Sequence, residues 1–558
     1  MRGGALAPAV AVLALACAGG ASAAPWSEPM LIAAASRPVQ PVAVRIAGQE
    51  AVAAWEDYRV VGHGRATDTT DFGVWAAAGA VGARPGTAQR LDRGVASDPQ
   101  PALAGSASGY AALAWTRDHQ VRVAVRGPGG VFGAPIPIPS ADVVGAVAVG
   151  IDDAGTATVL WNEFVDGGTG PVRATTVAPG GAPAAPQTIG SGTSGGAVAL
   201  AVDGPGGAVA AWGTFTSAVQ AALRPAAGAF GAPTTFGDPP NGVYRAGVAI
   251  DPDTGATLAL LRSGYTPLPG GGIGLVQGTP GAGWGAPQWL DAGTDVRQLT
   301  LAADGRGTRS ALWSTQPAYD PDRPAVARVA LAGPGQPFAL LAEDVEARPG
   351  PLSGVAAPDN ATDAVLTGDG ETLVLWSSAD TRVTVHPFDA AGRRGPIEPL
   401  VDDGCSTGGA ELAAGAGAQA AALFAQGRGV WIGYRAAGPP ARPRAPRICA
   451  LAWASHRSVL DRPVAQAGRV DLYVRLSKPV ARVTVEVRRG RSVAHRRLGP
   501  RPAGYARVRL HGRGGAPRLS AGRYRVTVRA VDAVGLRAAA RVVTLRVTRA
   551  AGSRRVLP

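Results

Sequence analysis

Two stretches have the spacing of a serine nucleophile, Gly192-Thr193-Ser194-Gly195-Gly196 and Gly404-Cys405-Ser406-Thr407-Gly408, each matching Gly-x-Ser-x-Gly. That motif works on a strand-turn-helix elbow, which lifts the serine above a sheet. Both copies here lie in glycine-rich turns of a β-patterned chain, so chance accounts for them. There is no His-Glu-x-x-His pair and no phosphate-cradling loop, and the six histidines are scattered, three of them after residue 454. Asp320 and Asp322 could offer hard oxygens to calcium, but two acids fall far short of the roughly six to eight ligands required. No cofactor is predicted. The remaining candidates are polar residues in loops of variable length: Glu56, Asp57, His63, Asp118, His119, Glu163, Tyr319 and Asp320. Each alone is what a solvated loop ordinarily carries. Their interest is collective, because variable loops gathered on one face of a rigid scaffold are where binding resides.

The scaffold is written in repeats. Four segments align without a gap: AVAVGIDDAGTATVLW (146–161), AVALAVDGPGGAVAAW (197–212), AGVAIDPDTGATLALL (246–261) and QLTLAADGRGTRSALW (298–313), with looser copies ending at Trp55, Trp115, Trp376 and Phe424. Each holds two apolar runs separated by an Asp- and Gly-rich turn, the pattern of a β-hairpin. The acids in these turns are expected to cap them. Trp55, Trp115, Trp161, Trp212, Trp313 and Trp376 occupy one repeat position, spacing that suits units packing the same face on their neighbours. A second motif follows: VFGAPIPI (131–138), AFGAPTTF (229–236) and GWGAPQWL (283–290), with weaker forms around Pro186 and Pro399. Proline restricts this strand to an edge, so each unit reads as an inner hairpin, a third strand and an outer proline-bearing strand.

This arrangement resembles the secreted bacterial sialidase-like or BNR-type repeat β-propeller proteins, over residues 25 to about 450. The resemblance implies an all-β fold with a β-propeller, eight blades by count and seven as the alternative. The family's Asp box, with Asp five residues before Trp, is not kept here: Asp152 lies nine before Trp161. A sialidase site would need an arginine cluster, a Tyr and Glu nucleophile pair and an acidic acid/base, and its arginine-bearing N-terminal motif is not found. The segment PWSEPMLI (25–32) matches the outer-strand motif yet precedes any inner hairpin, while the last unit, GVWIGYRA (429–436), lacks an outer strand. The N-terminus is therefore expected to supply that strand and close the ring.

Arg2, the apolar run Ala5 to Ala16 and Ala21-Ser22-Ala23 read as a secretory signal over 1–23. An uncleaved anchor and lipidation at Cys17 are the alternatives. Export leaves Cys405 and Cys449, which can close a disulfide or stay as two thiols. The boundaries expected are a propeller over 24–435, a Pro/Arg-rich linker over 436–454, a basic β-sandwich over 455–548 and a basic tail over 549–558. Strands such as RVDLYVRL, ARVTVEVRR and YRVTVRAVD make the sandwich, which resembles immunoglobulin and fibronectin type III modules.

Charge divides along the same boundary. From residue 455 onward 25 Lys or Arg face four acids, whereas the preceding 454 residues hold 29 against 36. The expected partners are a glycan or protein for the propeller and an acidic cell-envelope polymer for the basic domain. A solvated basic face and docking onto the acidic propeller remain open, and few aromatics in the tail disfavour nucleic acid. The mature chain is expected to be an exported monomer with no transmembrane span. Its function reads as non-enzymatic binding or adhesion, with a divergent glycan-active hydrolase or lyase as the alternative.

Overall fold

The structure, a computed structural model, describes residues 26–548 apart from 28, 35–38, 64–67, 96–100, 141, 165–167, 194–196, 215–217, 227, 238–242, 252–254, 263–271, 292–295, 316–325, 342–344, 347–361, 378–382, 402–405, 427–428, 436–447, 456–457, 461–463, 467–470, 477–479, 491, 502–503, 511–519, 521, 534 and 536. The expected signal (1–23) and tail (549–558) lie outside these residues. The described elements are β-strands in ten sheets, and no helix among them is long and apolar enough to cross a membrane.

Eight sheets of four antiparallel strands follow one another along the chain, the first seven with their strands in sequence order and two of these with a short fifth piece. Sheet one runs Val39–Ala47, Glu50–His63, Asp68–Ala80 and Gln89–Val95; sheet two runs Ala102–Gly105, Ala111–Arg117, Gln120–Arg126 and Ile136–Ile138. The eighth sheet alone breaks the order: Ser406–Ala414, Ala420–Gln426 and Gly429–Arg435 are completed by Met30–Ala34, antiparallel to Gly429–Arg435. The first strand of each sheet touches the first strand of the next, and that of sheet eight returns to sheet one. These innermost strands pack closely. A Cβ at Gly105 would sit 3.1 Å from the Arg45 Cβ, and one at Gly150 would fall 2.8 Å from the Val202 Cβ, so side chains there must be small.

The Asp-Gly turns behave as their chemistry demands. Asp152 accepts from the Ala154 and Thr156 amides, Asp203 from Gly207, and Asp304 from Arg306 and Thr308. Several turns also bond to the next sheet's turn, Ser108 N–H to Asp153 and Asp153 N–H to the Gly204 carbonyl among them. Second strands are the most buried, with Trp55, Trp115, Trp161, Trp212 and Trp313 almost wholly enclosed.

Between sheets the contacts follow a period of two, which the fifty-residue repeat hid. The residue opening the outer strand of each odd sheet grips the next sheet: Gln89 clamps the backbone of Phe132 (2.8 and 3.0 Å), Gln187 that of Phe230 (2.8 and 3.0 Å) and Gln288 that of Phe338 (2.7 and 3.0 Å). In the seventh sheet Glu398 takes the same place and accepts from the Trp26 indole at 2.9 Å. Each even sheet buries one arginine beside the clamp: Arg126 binds Glu50 at 2.6 Å, Arg224 binds Thr158 at 2.9 Å, Arg309 lies over Phe338, and Arg435 is held by Glu371 and Glu398. The ring is thus four two-sheet units, and Trp26 fills in sheet eight the place that Phe132 fills in sheet two.

After the ring, Ile448–Ser455, Ser458–Leu460, Asp471–Leu476 and Gly504–Arg509 form sheet nine. Sheet ten contains Val464–Gln466, Arg482–Arg489, Ser492–Leu498, Gly522–Val531 and Arg541–Thr548. Leu472, Val474, Ala506 and Val508 from sheet nine share one core with Val483, Val485, Val526, Val528 and Leu545 from sheet ten. The linker expected over 436–454 is therefore shorter at its C-terminal end. ICALAWAS (448–455) alternates apolar and small residues and pairs with Asp471–Leu476, a gain that outweighs its nearness to the proline-rich stretch.

Arg435 offers a test of the two-sheet unit. Replacing it with Ala strands the Glu371 and Glu398 carboxylates against the core, and breaking a pair of this kind costs about 3–5 kcal/mol. The denaturant midpoint of R435A should fall well below that of an exposed control such as R93A, as measured by tryptophan fluorescence.

Candidate functional site

Inner strands of a closed ring face its axis, and three of the eight here, Ala102–Gly105, Val143–Ile151 and Val198–Val202, hold only Ala, Val, Leu, Ile and Gly, while Val243–Asp251 carries Arg245 and Asp251 and Val296–Ala303 carries Arg297. Against that background three charged side chains fall on the first strands of three consecutive sheets, Asp363 in sheet seven (Thr362–Leu366), Glu411 in sheet eight (Ser406–Ala414) and Arg45 in sheet one (Val39–Ala47). All three are partly exposed.

Their setting is tight. One Asp363 oxygen accepts from the Leu412 amide of the neighbouring sheet at 2.8 Å and the other from Ala364 at 2.8 Å. Burial pushes Asp363 upward from the usual carboxylate range, against the pull of those two amides and of Arg45. Glu411 is pushed up to about 8, first by burial and then by the Asp363 charge, with Arg45 opposing. Protein encloses most of each carboxyl and leaves part of it open to solvent, a setting that disfavours the charged form. The group that results is one acid holding its proton near neutrality, a second carboxyl fixed by backbone amides, and a guanidinium whose charge acts on both. It can hydrogen-bond a hydroxyl-rich ligand from both donor and acceptor sides.

The opposite end of the second strands carries the variable connections. The second and third strands of sheet one, at 14 and 13 residues, outrun the second strands of the other ring sheets, which hold six to eight. The first strand pairs no further than Asp57 and the fourth no further than Asp71, so residues beyond them form a two-stranded ribbon. At about 3.3 Å per residue it extends the sheet by roughly 20 Å. Tyr58 and Phe72 face each other at its base, 6.5 Å apart.

The sequence candidates are distributed over this region rather than gathered in one cluster. Glu56 is buried in the strand Glu50–His63, not in a loop, and Asp57 follows it, partly exposed. His63 ends that strand, with its side chain outside the described residues. Asp118 and His119 form a two-residue turn with φ of 49° and 66°, the positive values of a type I′ hairpin, rather than a long loop. Asp118 pairs with Arg117 at 3.0 Å, and the His119 carbonyl accepts from Ser140 at 2.9 Å. Glu163 also departs from a loop: fully buried in Ala157–Phe164, it accepts from the Trp161 indole and pairs with Arg173, both at 3.1 Å. The strand continues past Trp161 because Asn162 and Glu163 find partners there. Tyr319, Asp320 and Cys405 lie outside the described residues, as do the side chains of Trp376 and Cys449.

The axial group was missed because Asp363, Glu411 and Arg45 sit in the looser repeats at the two ends of the ring. The available signal was a charge at an otherwise apolar inner-strand position.

No protein-family model matches the chain, and no curated protein sequence matches it. Among solved structures it is similar to a lectin from Burkholderia pseudomallei, at 14% identity and a TM-score of 0.42 over 61% of this chain and 97% of that one. It is also similar to the WD40 domain of SCAP from fission yeast (9% identity, TM-score 0.39, 73% and 97% covered). A fungal alcohol oxidase in complex with copper gives 12% identity and a TM-score of 0.37, with 94% and 100% covered. Likenesses of this size specify neither a strand count nor a ligand.

Because the folded state holds the Glu411 proton up to about pH 8 while an unfolded glutamate releases it near 4.5, folding takes up a proton between those values. This contribution stabilises the chain below about pH 4.5 and is lost as pH rises through 8. E411Q should flatten that decline, seen as a smaller fall in melting temperature between pH 5 and pH 8 than the parent shows.

Proposed function

We propose that the protein is an exported binding or adhesion protein. In this reading the eight ring sheets are the blades of a β-propeller closed by its N-terminal strand, sheets nine and ten are an immunoglobulin-like sandwich, and the ring recognises a glycan while the basic domain holds the molecule at an acidic envelope surface. The observation that carries it is the Asp363, Glu411 and Arg45 group. A ring whose axis can be filled with small apolar residues gains no packing from three charged ones, and burial raises two of them away from their ordinary titration. A ligand presenting hydroxyls to donors and acceptors together would offset that cost. The two-stranded ribbon of sheet one and its Tyr58 and Phe72 pair supply an apolar surface on the variable face, of the kind that stacks on sugar rings.

The second reading, a divergent glycan-active hydrolase, draws on the same group, since such enzymes work with two neighbouring carboxyls, one of them holding its proton near neutrality as Glu411 does. Screening the purified full chain on a glycan array, followed by mass spectrometry of each bound glycan, separates the two. Binding proteins return the glycan intact; a hydrolase returns new reducing ends and loses them in E411Q. R45A is expected to weaken binding at least about tenfold, the loss of one charge-assisted contact, with the melting temperature kept within a few degrees. Retention of full affinity in both R45A and E411Q would move the ligand site off the axis.

A further inference from the structure

Sheet ten shares its core with sheet nine through Val483, Val485, Val526, Val528 and Leu545, so the alternate residues of its strands form an outer face. Arg488, Arg523, Arg525 and Arg546 all lie on that face and all are exposed. Register makes the arrangement unusual. Arg488 is directly opposite Arg525 across one strand pair, and Arg523 is directly opposite Arg546 across the next. Like charges opposed in this way weaken a sheet, and nothing in the core requires them. Glu486 is the one acid among the described residues of the face. It stands 3.4 Å from Arg488 and 3.6 Å from Arg529. Arg523, Arg525 and Arg546 have no acidic partner among the described residues.

Resting on the envelope-association reading above, we infer that this arginine face is the docking surface for a linear polymer of phosphodiester-linked polyols. Each opposed pair sets two guanidinium forks close enough to grip the two unbridged oxygens of one phosphate, which turns a repulsion into a shared contact. Arg523 and Arg525 lie two residues apart on one strand, about 7 Å at strand rise, so successive phosphates of one chain can be taken in turn. The rest of the face holds Arg482, Arg497 and Arg529 together with Thr484, Thr527, Thr544, Val493, Val531, Val542 and His495. With no Phe, Tyr or Trp there, nucleic-acid bases gain no stacking platform. Three scattered valines give too little apolar surface to enter a bilayer.

The test uses the full chain and soluble poly(glycerol phosphate), with polygalacturonate and a single-stranded oligonucleotide of similar charge as comparisons, at several salt concentrations. The R523Q/R525Q/R546Q variant is expected to bind poly(glycerol phosphate) at least about tenfold more weakly with a shallower salt dependence. Its melting temperature should stay level or rise, because the opposed charges are relieved. A merely structural role would lower that temperature instead. Unchanged affinity in the variant, or tighter parental binding to either comparison polymer, overturns the assignment. If the variant keeps the parent's retention on intact envelope fractions, envelope association stands and this face is not its cause; if the parent itself is not retained, both readings fall together.

Discussion

A ring of sheets has no edges only if its last sheet is completed, and here completion depends on a strand from the far end of the chain. Met30–Ala34 adds to Gly429–Arg435, and just before it the Trp26 indole reaches Glu398 while Arg435 binds that same carboxylate. Without these contacts the third strand of sheet eight would present unpaired amides and carbonyls to solvent, and Arg435 would keep its carboxylates without the lid above them. Closure through non-local pairing carries a loop entropy that grows only slowly with length, so about 400 intervening residues cost little more than a much shorter segment would. The strain of the arrangement falls instead on folding speed, since the final pairing waits for both ends.

The same clamp explains why the ring is organised in pairs. Every odd sheet offers an amide or carboxylate at the head of its outer strand, and the even sheets receive it with a backbone, or in sheet eight with the Trp26 indole, beside a buried arginine. A buried guanidinium has five donors and no acceptor, so it must be surrounded by oxygens wherever the chain puts it. In sheets two and eight that role falls to Glu50, Glu371 and Glu398, in sheet four to Thr158 and the Gly206 carbonyl. Cross-sheet polar contacts of this kind add direction to apolar packing that is otherwise indifferent to which neighbour it meets.

Much of this was legible in the residues. Hairpins with Asp-Gly turns, tryptophans at one repeat position, proline in outer strands and a misplaced outer-strand motif at Trp26 and Pro29 all follow from local chemistry, and the structure has strands, turns and pairing at those places. The two-sheet period was harder to see. Arg-x5-Phe-Gly-Ala-Pro recurs at 126–135 and 224–233, but sheet six replaces its arginine with one from a different strand and sheet eight splits the motif between the chain ends. Loop assignments failed for a physical reason as well. Glu56 and Glu163 look like surface acids, yet pairing across the sheet continues past the tryptophan and carries both into the interior, where Glu163 meets an indole and a guanidinium. Sequence polarity marks where a side chain prefers to be, while register decides where it is.

Charge placement separates the two parts of the molecule more sharply than composition does. Within the ring, described arginines such as Arg126 and Arg435 are enclosed and matched to acids, so their charge is spent inside the fold and projects little field. In sheet ten the arginines lie on an outer face, one acid serves several of them, and the field reaches solvent over about a Debye length, roughly 8–10 Å at physiological salt. The sheet tolerates this because its stability comes from the apolar face it shares with sheet nine, where Val483, Val485, Val526 and Val528 are excluded from water. Burying each such side chain contributes about 1.5–3 kcal/mol, several times the few tenths that an exposed like-charge pair costs. A sheet stabilised from one side is therefore free to carry on the other a charge pattern that its own folding does not need.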